Sequence, residues 1–505
     1  MPIALLAALV GSLFFLPPIA IPVILLAVAV FAITAYRPLV MLGALAVYLP
    51  FESVILKFTP NEIYVYARYF FEGIIYLLAV VVALRILKGT SRMRATPIDL
   101  PFILFLVILL ASSLINAVEP SIAILGARQI LRFILVFFIV VYLKPDRAYV
   151  KRLTGIMLAV VGIEALIGLT QSFVGGPLDA LLLPSEARTF GEITLTSGVT
   201  QFWDPGSRIF ATLGRYDRLG NFLYFFLLIA VGLFYELRDG TKVLGKKFSA
   251  PLQGRSDLIP LFLLGIPALV LTYSRASWFA FLLGFLFIGI LIKRDRRVMA
   301  AFVSFVIIVT AYLGVTGLNV RFITEAPGQT LVERFYEAFS YARWRGEYYG
   351  LGRVFWMVQT PLTVIPASPL FGFGPGQFGG GAVAALGNTH VYEQLGLPFG
   401  VFGTEGIIDN NWFSLWGETG TLGIIFFLWM YFVILRECLR VYLTSPDKYT
   451  RAIAIGTMAA MLGIAMNAFL STAFEIRTLA FYLWLYAGFV VALGEQKMHE
   501  SHSGK

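Results

Sequence analysis

The sequence has very few of the residues that build metal sites and disulfides. It contains one cysteine, Cys438, and three histidines, of which His499 and His502 lie in the polar C-terminal tail. A single cysteine excludes an intrachain disulfide, and His390 has no neighbouring cysteine or second histidine that would complete a metal site. The chain also lacks a Walker motif, a dinucleotide-binding fingerprint and a Ser/His/Asp arrangement. We therefore predict neither a metal nor an organic cofactor.

Charged residues are also scarce. They make up 13% of the 505 residues, whereas 59% are hydrophobic and the mean hydropathy is +0.83. This composition excludes an ordinary soluble domain. The net charge of +10 is concentrated in short connections between apolar runs, which is the pattern of the positive-inside rule and argues against nucleic acid as a partner.

Apolar runs long enough to cross a bilayer recur along the whole chain, and they predict an all-α polytopic membrane protein with about 12–14 transmembrane helices. Pro17-Pro18 leaves open whether the first two runs form one kinked element. The N-terminal run lacks a basic flank and a cleavage site, so we expect a retained span rather than a signal peptide. The predicted spans are 2–16, 18–35, 38–56, 67–87, 98–116, 125–143, 152–174, 217–236, 258–273, 276–292, 298–317, 412–435, 451–471 and 477–494.

The basic clusters predict which loops lie outside the cell membrane. If the clusters face the cytoplasm, both termini are cytoplasmic and two long loops are external. We expect a bundle over residues 1–317 with an external loop near 175–216, a large external loop at 318–411, and C-terminal spans with a cytoplasmic tail at 412–505. The basic clusters are Arg85–Arg94, Lys144–Arg152, Arg238–Arg255, Lys293–Arg297 and Arg436–Arg451.

Lysine is absent from two polar segments, Gly175–Gly220 and Leu318–Asn411. Arginine holds phosphate or carboxylate through a planar, permanently charged fork, whereas lysine is a point charge. Loops with arginine and no lysine therefore suggest a site for a bound anion, although any single arginine could belong to a solvated face. The arginines are Arg188, Arg208, Arg215 and Arg218 in the first segment, and Arg321, Arg334, Arg343, Arg345 and Arg353 in the second.

Two stretches of the second loop have recognisable patterns. Leu331–Tyr349 mixes aromatic and charged residues at helical spacing, which predicts an amphipathic helix on the membrane surface. Phe371–Gly381 is too rich in glycine to be helical. It is a weak phosphate cradle, because no strand precedes it and no Lys-Ser/Thr follows it, and a simple tight turn explains it equally well.

Three charged residues stand where the spans meet the external loops. Arg275 lies in a tight corner between two spans, where an arginine usually faces a partner or a water-filled cavity, although snorkelling to lipid headgroups is the alternative. Asp409 precedes the span that begins near Trp412, and both a helix N-cap and a catalytic base are open to it. Glu418 lies deeper, and we expect an architectural role in which it pairs with a buried donor.

Three segments together resemble the O-antigen ligase/polymerase superfamily of bacterial polysaccharide glycosyltransferases. Arg208–Gly220 is similar to the family's Arg-x-x-Gly-Thr-Phe stretch, and Ser274–Trp278 to its Ser-Arg-Gly/Ala-x-Trp signature. Pro369–Phe378, followed by Asp409 and Glu418-Thr-Gly420, is similar to its Pro-Leu-x-Gly-x-Gly-x-x-x-Phe, His-Asn and Glu-x-Gly series. The resemblance covers roughly residues 200–425.

The chain departs from this family at three positions. Ala211 stands in place of the usual glycine, Asp217 where asparagine is common, and Asp409 where ligases that join a glycan to lipid A–core carry histidine. The missing histidine favours a Wzy-type polymerase over a ligase. His390 could substitute for it, but nothing in its spacing supports that.

The resemblance implies a GT-C-like bundle in the bacterial inner membrane with its active site on the periplasmic side. The implied enzyme polymerises glycan repeat units on polyprenyl (undecaprenyl) diphosphate, without a metal. Asp409 and Arg275 are the expected catalytic residues, and Asp217, Asn410 and Glu418 the expected supporting ones. The diphosphate would be bound by Arg275, Arg208 and Arg353, with Arg215 and Arg218 as secondary ligands.

Other partners implied are membrane lipids and a flippase and chain-length regulator of the same pathway. Two other functions stay open: a ligase that transfers the glycan to lipid A–core, and a transporter or flippase of lipid-linked glycan. Alternating-access transporters often have internal repeats, and the sequence has no convincing repeat.

Overall fold

A computed structural model describes residues 20–91, 93–184, 187–190, 193–196, 208–237, 256–316, 330–403 and 406–503. The first predicted span, the basic cluster at 238–255, Arg321 and Glu405 lie wholly or largely outside these residues. The N-terminal half contains α1 Ala20–Tyr36, α2 Pro38–Tyr48, α3 Glu52–Lys57, α4 Asn61–Leu87, α5 Asp99–Ile115, α6 Pro120–Leu131, α7 Ile134–Leu143, α8 Arg147–Val174, α9 Gly176–Leu182, β1 Ala187–Phe190, β2 Ile193–Thr196 and α10 Tyr216–Glu236. Strands β1 and β2 pair antiparallel as a hairpin in the first long loop.

The C-terminal half is also helical. It contains α11 Leu258–Leu271, α12 Arg275–Leu286, α13 Arg296–Thr316, α14 Leu331–Glu337, α15 Tyr341–Tyr349, α16 Arg353–Gln359, α17 Ile365–Ala367, α18 Gly381–Leu386, α19 His390–Leu395, α20 Asn411–Thr444, α21 Lys448–Asn467 and α22 Arg477–Ser503. A π-helical turn, Phe287–Ile292, extends α12.

The all-α polytopic prediction is confirmed. Among the described residues, eight helices are long and apolar enough to cross a membrane, or nine if one bent pair counts as a span. Three further apolar helices are shorter, at 10–17 residues. The predicted span 125–143 is the bent pair: α6 and α7 meet at 53°, where the buried Arg132 interrupts the apolar run and pairs with Glu72 at 3.5 Å.

Helix α10 lies at the centre of the bundle, almost wholly buried, and packs against α21 and α22. A methyl group on Gly232 of α10 would lie 2.5 Å from the carbonyl oxygen of Ala452 in α21, so the two backbones touch, as they do where small residues line a membrane helix interface. Asn221 of α10 accepts a hydrogen bond from Asn467 of α21 at 2.7 Å. This contact fixes the depth of α10 relative to α21.

The predicted amphipathic helix at 331–349 is two helices, α14 and α15. Helix α14 ends at Glu337, and Ser340 caps α15. The side chains of Phe335 and Phe339 pack on Phe279 of α12. Part of the apolar surface of this segment therefore contacts the bundle.

The glycine-rich segment is non-helical, as predicted, and it docks on a break in α20. Gly420 interrupts that helix with φ 67° and ψ −174°. The amides of Phe373 and Gly374 donate to the carbonyls of Gly417 and Glu418, both at 2.9 Å. A Cβ at Gly420 would lie 2.3 Å from the carbonyl oxygen of Leu370. Glycine is thus required at this break, and the segment is more than a simple turn.

Candidate active site

Arg275 projects from a rigid corner between α11 and α12. Tyr273 turns the chain with φ 54°, and the indole of Trp278 donates to the carbonyl of Leu269 at 2.8 Å, which closes the corner. Ser277 donates to Asn221 of α10 at 3.1 Å. The short signature around Arg275 therefore consists of residues that fix its backbone.

The Arg208 loop is held against the same corner. The amide of Ile209 donates to the carbonyl of Leu271 at 3.3 Å, and Gln171 of α8 accepts from the amides of Phe210 and Ala211, both at 2.9 Å. Ala211 has φ 47°, a left-handed conformation that glycine adopts without strain. This explains why the related motif has glycine there, and it shows that the alanine keeps the same backbone.

Glu337 lies at the centre of the arginines. It is 1% exposed, and its carboxylate pairs with Arg275 at 3.2 Å, Arg334 at 3.3 Å and Arg343 at 3.5 Å. These three arginines come from α12, α14 and α15. Three permanent cations around one buried carboxylate make a strongly electropositive site.

Arg334 shows how closely the positive charges are packed. Burial, followed by the charges of Arg275 and Arg208, lowers the pKa of Arg334 to about 10. It still carries its charge at neutral pH. The guanidinium of Arg208 also lies 4.3 Å from the ring centroid of Tyr216, a cation–π distance. Arg208, Arg275 and Arg334 therefore converge, although they lie on three separate elements.

Asp409 pairs with Arg353 at 3.1 Å, and both side chains are about one third exposed. It does not cap α20: the cap is Asn410, whose side chain accepts from the amide of Phe413 at 3.2 Å. Asp409 itself has φ 50°, which asparagine and aspartate tolerate better than other residues. Its carboxylate is thus aimed at the arginines and has no capping role.

Arg215 and Asp217 form an ion pair at 3.1 Å at the start of α10. Asp217, and to a smaller degree Asp409, raises the pKa of Arg215, which places Arg215 beside the Asp409 pair. Arg218 has a different setting, in the electrostatic range of Arg477 and Glu52 as well as of Arg215. It borders the arginine cluster without an ion pair to Glu337.

Glu418 binds the backbone of the glycine-rich segment. It is 4% exposed and accepts from the amide of Gly376 at 2.9 Å. A second carboxylate, Glu475, accepts from the amide of Gly381 at 2.8 Å and from Gln129 of α6 at 2.9 Å. Burial raises the pKa of Glu475. Two carboxylates therefore anchor the segment to the bundle, in the architectural role expected for Glu418.

The remaining sequence-based alternatives lie elsewhere. His390 is exposed at the start of α19, and Glu405 lies outside the described residues. Within the described ranges, no group of three or more His, Cys, Asp or Glu side chains is arranged to hold a metal ion.

Residues 260–428 match a family model described as O-antigen ligase. The match supports the O-antigen ligase/polymerase superfamily, whose members are membrane glycosyltransferase-like enzymes, and it does not separate ligases from polymerases. A comparison with curated proteins finds no match. The matched residues include Arg275, Glu337 and Asp409, whereas Arg208 and Arg215 precede them.

Sequence reasoning missed the partners of the site arginines. Glu337 and Glu347 look like two of several charged residues on an amphipathic helix, yet Glu337 pairs with three arginines, and Glu347 accepts from the amide of Arg353 at 2.9 Å and pairs with Arg343. Arg334 and Arg343 were identified only as members of the lysine-free segment. The absence of lysine was a signal for these arginines, whereas no signal in the sequence marked Glu337 and Glu347 as their partners.

Proposed function

We propose that this protein is a membrane glycosyltransferase that polymerises polyprenyl-diphosphate-linked oligosaccharide repeat units into a surface polysaccharide. The donor is a glycan on polyprenyl diphosphate, and the acceptor is the non-reducing sugar of another lipid-linked unit. The observation that carries this proposal is the convergence of Asp409 with arginines from separate helices and loops. The O-antigen ligase match supports the same class of substrate.

The charge of the site suits a diphosphate leaving group. Five arginines pair with the carboxylates of Glu337, Glu347, Asp409 and Asp217, and Arg208 lies beside them over the ring of Tyr216. The six arginines carry two more charges than the four carboxylates; the five paired ones are Arg215, Arg275, Arg334, Arg343 and Arg353. A diphosphate esterified at both ends carries about two negative charges, and guanidinium forks bind phosphate oxygens bidentately. Preorganised cations of this kind stabilise charge that develops in the transition state.

Four non-glycine residues near the site have a left-handed backbone conformation, with positive φ. They are Ala211, Tyr273, Leu351 and Asp409. Each such conformation costs about 1–3 kcal/mol and persists only where the surrounding structure holds it, which is typical of active sites. The strain supports a site whose geometry is set before the substrate binds.

Asp409 is the proposed general base. Arg353 binds its carboxylate. When a diphosphate binds Arg353 instead, the carboxylate is freed to accept the proton of the attacking hydroxyl group. The hydroxyl oxygen then bonds to the anomeric carbon of the donor sugar, the bond between that carbon and the diphosphate oxygen breaks, and the lipid diphosphate leaves. Binding of the donor to Arg353 would therefore make the carboxylate of Asp409 available as the base.

The ligase function is the second candidate, because the matched family is described as O-antigen ligase. Asp409 in place of the ligase histidine favours the polymerase. We propose the bacterial inner membrane as the location, the periplasmic side as the site of the reaction, and a flippase and chain-length regulator as partners.

A reconstituted assay with purified lipid-linked repeat units tests the proposal. A polymerase produces a ladder of products whose sizes differ by one repeat unit. A single transfer that requires added lipid A–core would assign the ligase function instead, and movement of intact substrate across the vesicle membrane without transfer would assign a transporter.

A further inference from the structure

Glu337 occupies the place in the arginine cluster that an incoming anion would need. Both oxygens of its carboxylate are engaged: Oε2 pairs with Arg275 and Arg334, and Oε1 with Arg343. It is the last residue of α14, where the helix dipole disfavours a negative charge. The helix therefore does not stabilise the negative charge of Glu337, whereas the three arginines do.

A carboxylate offers the same oxygens to a guanidinium fork as a phosphate does. A substrate phosphate that binds Arg275 and Arg343 must take those arginines from Glu337, at least in part. The same holds in reverse: when a lipid diphosphate leaves, the arginines lose their counter-ion unless a resident carboxylate returns to them. A buried group of uncompensated cations is costly.

We propose that Glu337 is an internal competitor for the arginines, which weakens binding of the diphosphate and promotes its release after transfer. Glu337 is a positioning residue, since it acts through Arg275, Arg334 and Arg343 and not on the reacting atoms. This inference rests on the proposed function only in taking the ligand to be a diphosphate.

A purely structural role for Glu337 predicts the opposite change in anion affinity. If Glu337 only held the arginines in place, its neutralisation would let them spread apart, and anions would bind less tightly. If it competes, neutralisation leaves the full charge of three arginines to the ligand, and anions bind more tightly. Glu337→Gln keeps the size and two hydrogen-bonding atoms of the side chain, so it separates the two roles.

The experiment measures binding of polyprenyl diphosphate and of inorganic pyrophosphate to the purified full-length protein in detergent or nanodiscs. We expect Glu337→Gln to lower the dissociation constant for both about tenfold, since removal of one nearby charge is worth at least this much in a partly buried site. In the transfer assay the first turnover should stay fast, whereas later turnovers should slow and added lipid diphosphate should inhibit more strongly.

Glu333→Gln is the matched control. Glu333 lies one turn earlier in the same helix, is only partly buried, and forms a capping box with Thr330, a role that glutamine also fills. It should leave both affinities unchanged. An unchanged or higher dissociation constant in Glu337→Gln, with the protein still folded, overturns the inference.

A second result separates this inference from the proposed function. If the wild type binds pyrophosphate but transfers no glycan from any lipid-linked donor, the proposed function fails while the competition at Glu337 is still measured. If Glu337→Gln binds no tighter although the wild type polymerises, only the role of Glu337 fails.

Discussion

Helices α10 and α12 have a cluster of ion pairs at each end, and the two clusters differ in the cations that they contain. At one end, Arg275 and its neighbours surround Glu337. At the other end, Glu236 pairs with Lys293 and with Arg451 at 3.3 Å. Among these ion pairs, lysine occurs only at the second end. There the cations also lie over the ring of Tyr442, at 5.3 and 5.2 Å, so each has fixed partners.

The difference shows what residue type can reveal about an ion pair. A point charge is sufficient where the partner never changes, as at Glu236. The planar guanidinium of arginine is an advantage where the same cation must bind carboxylate oxygens at one moment and phosphate oxygens at the next. The absence of lysine from the ion pairs around Glu337 therefore supports the proposed anion site at that end.

The largest expected difference between the two ends is their accessibility. Cysteines introduced singly at exposed positions within 330–400 should react with an impermeant maleimide added to intact cells, and cysteines within 240–255 should not. The native Cys438 is buried, so background labelling should be low. Labelling of the 240–255 positions alone would invert the orientation and move the arginines to the cytoplasmic face.

The next largest effect is expected for Asp409→Asn. Asparagine keeps the shape of the side chain but accepts no proton, and a positioned base contributes about 10²–10⁴-fold to turnover. Polymer formation should fall by that factor while donor binding and folding are retained, because the helix cap is Asn410 and is untouched. Asp295→Asn, at the Glu236 end, is the control with the same substitution. Near wild-type output from Asp409→Asn would exclude a base at this position.

Exchange of arginine and lysine tests the comparison directly. Arg275→Lys keeps the charge but loses the fork, and loss of a charge-assisted hydrogen bond of about 1.5–3 kcal/mol corresponds to a fall in transfer of about 10- to 100-fold. Lys293→Arg should leave transfer and expression unchanged. Equal activity of Arg275→Lys and the wild type would make Arg275 a snorkelling anchor.

The smallest effect is expected for removal of divalent cations. If the arginines alone stabilise the leaving group, a purified enzyme treated with EDTA should transfer at the same rate as an untreated one. Recovery of lost activity by added Mg²⁺ or Mn²⁺ would show that a cation shares the charge of the diphosphate with Arg275 and Arg353.

The sequence predicted those features that depend on local pattern. Apolar runs predicted the helical bundle, and the short Ser274–Trp278 signature predicted a tight corner that the structure shows to be closed by Trp278 and Ser277. Glu337 could not be predicted, because its partner Arg275 lies 62 residues earlier and only tertiary packing brings them together. The amphipathic pattern of 331–349 predicted one helix where the structure has two, and the contact of Phe335 with Phe279 depends on tertiary packing that the pattern does not encode.

Helix α10 runs from the arginine cluster to Glu236 in 21 residues, a length of about 30 Å, which equals the hydrocarbon thickness of a bilayer. If the Glu236 ion pairs lie at one headgroup layer, the length of the helix sets the arginines at the depth of the other. The phosphates of a lipid-anchored substrate lie at that same depth. The proposed polyprenyl diphosphate donor would then reach the arginines by lateral diffusion within its own leaflet, without lifting its lipid tail from the membrane.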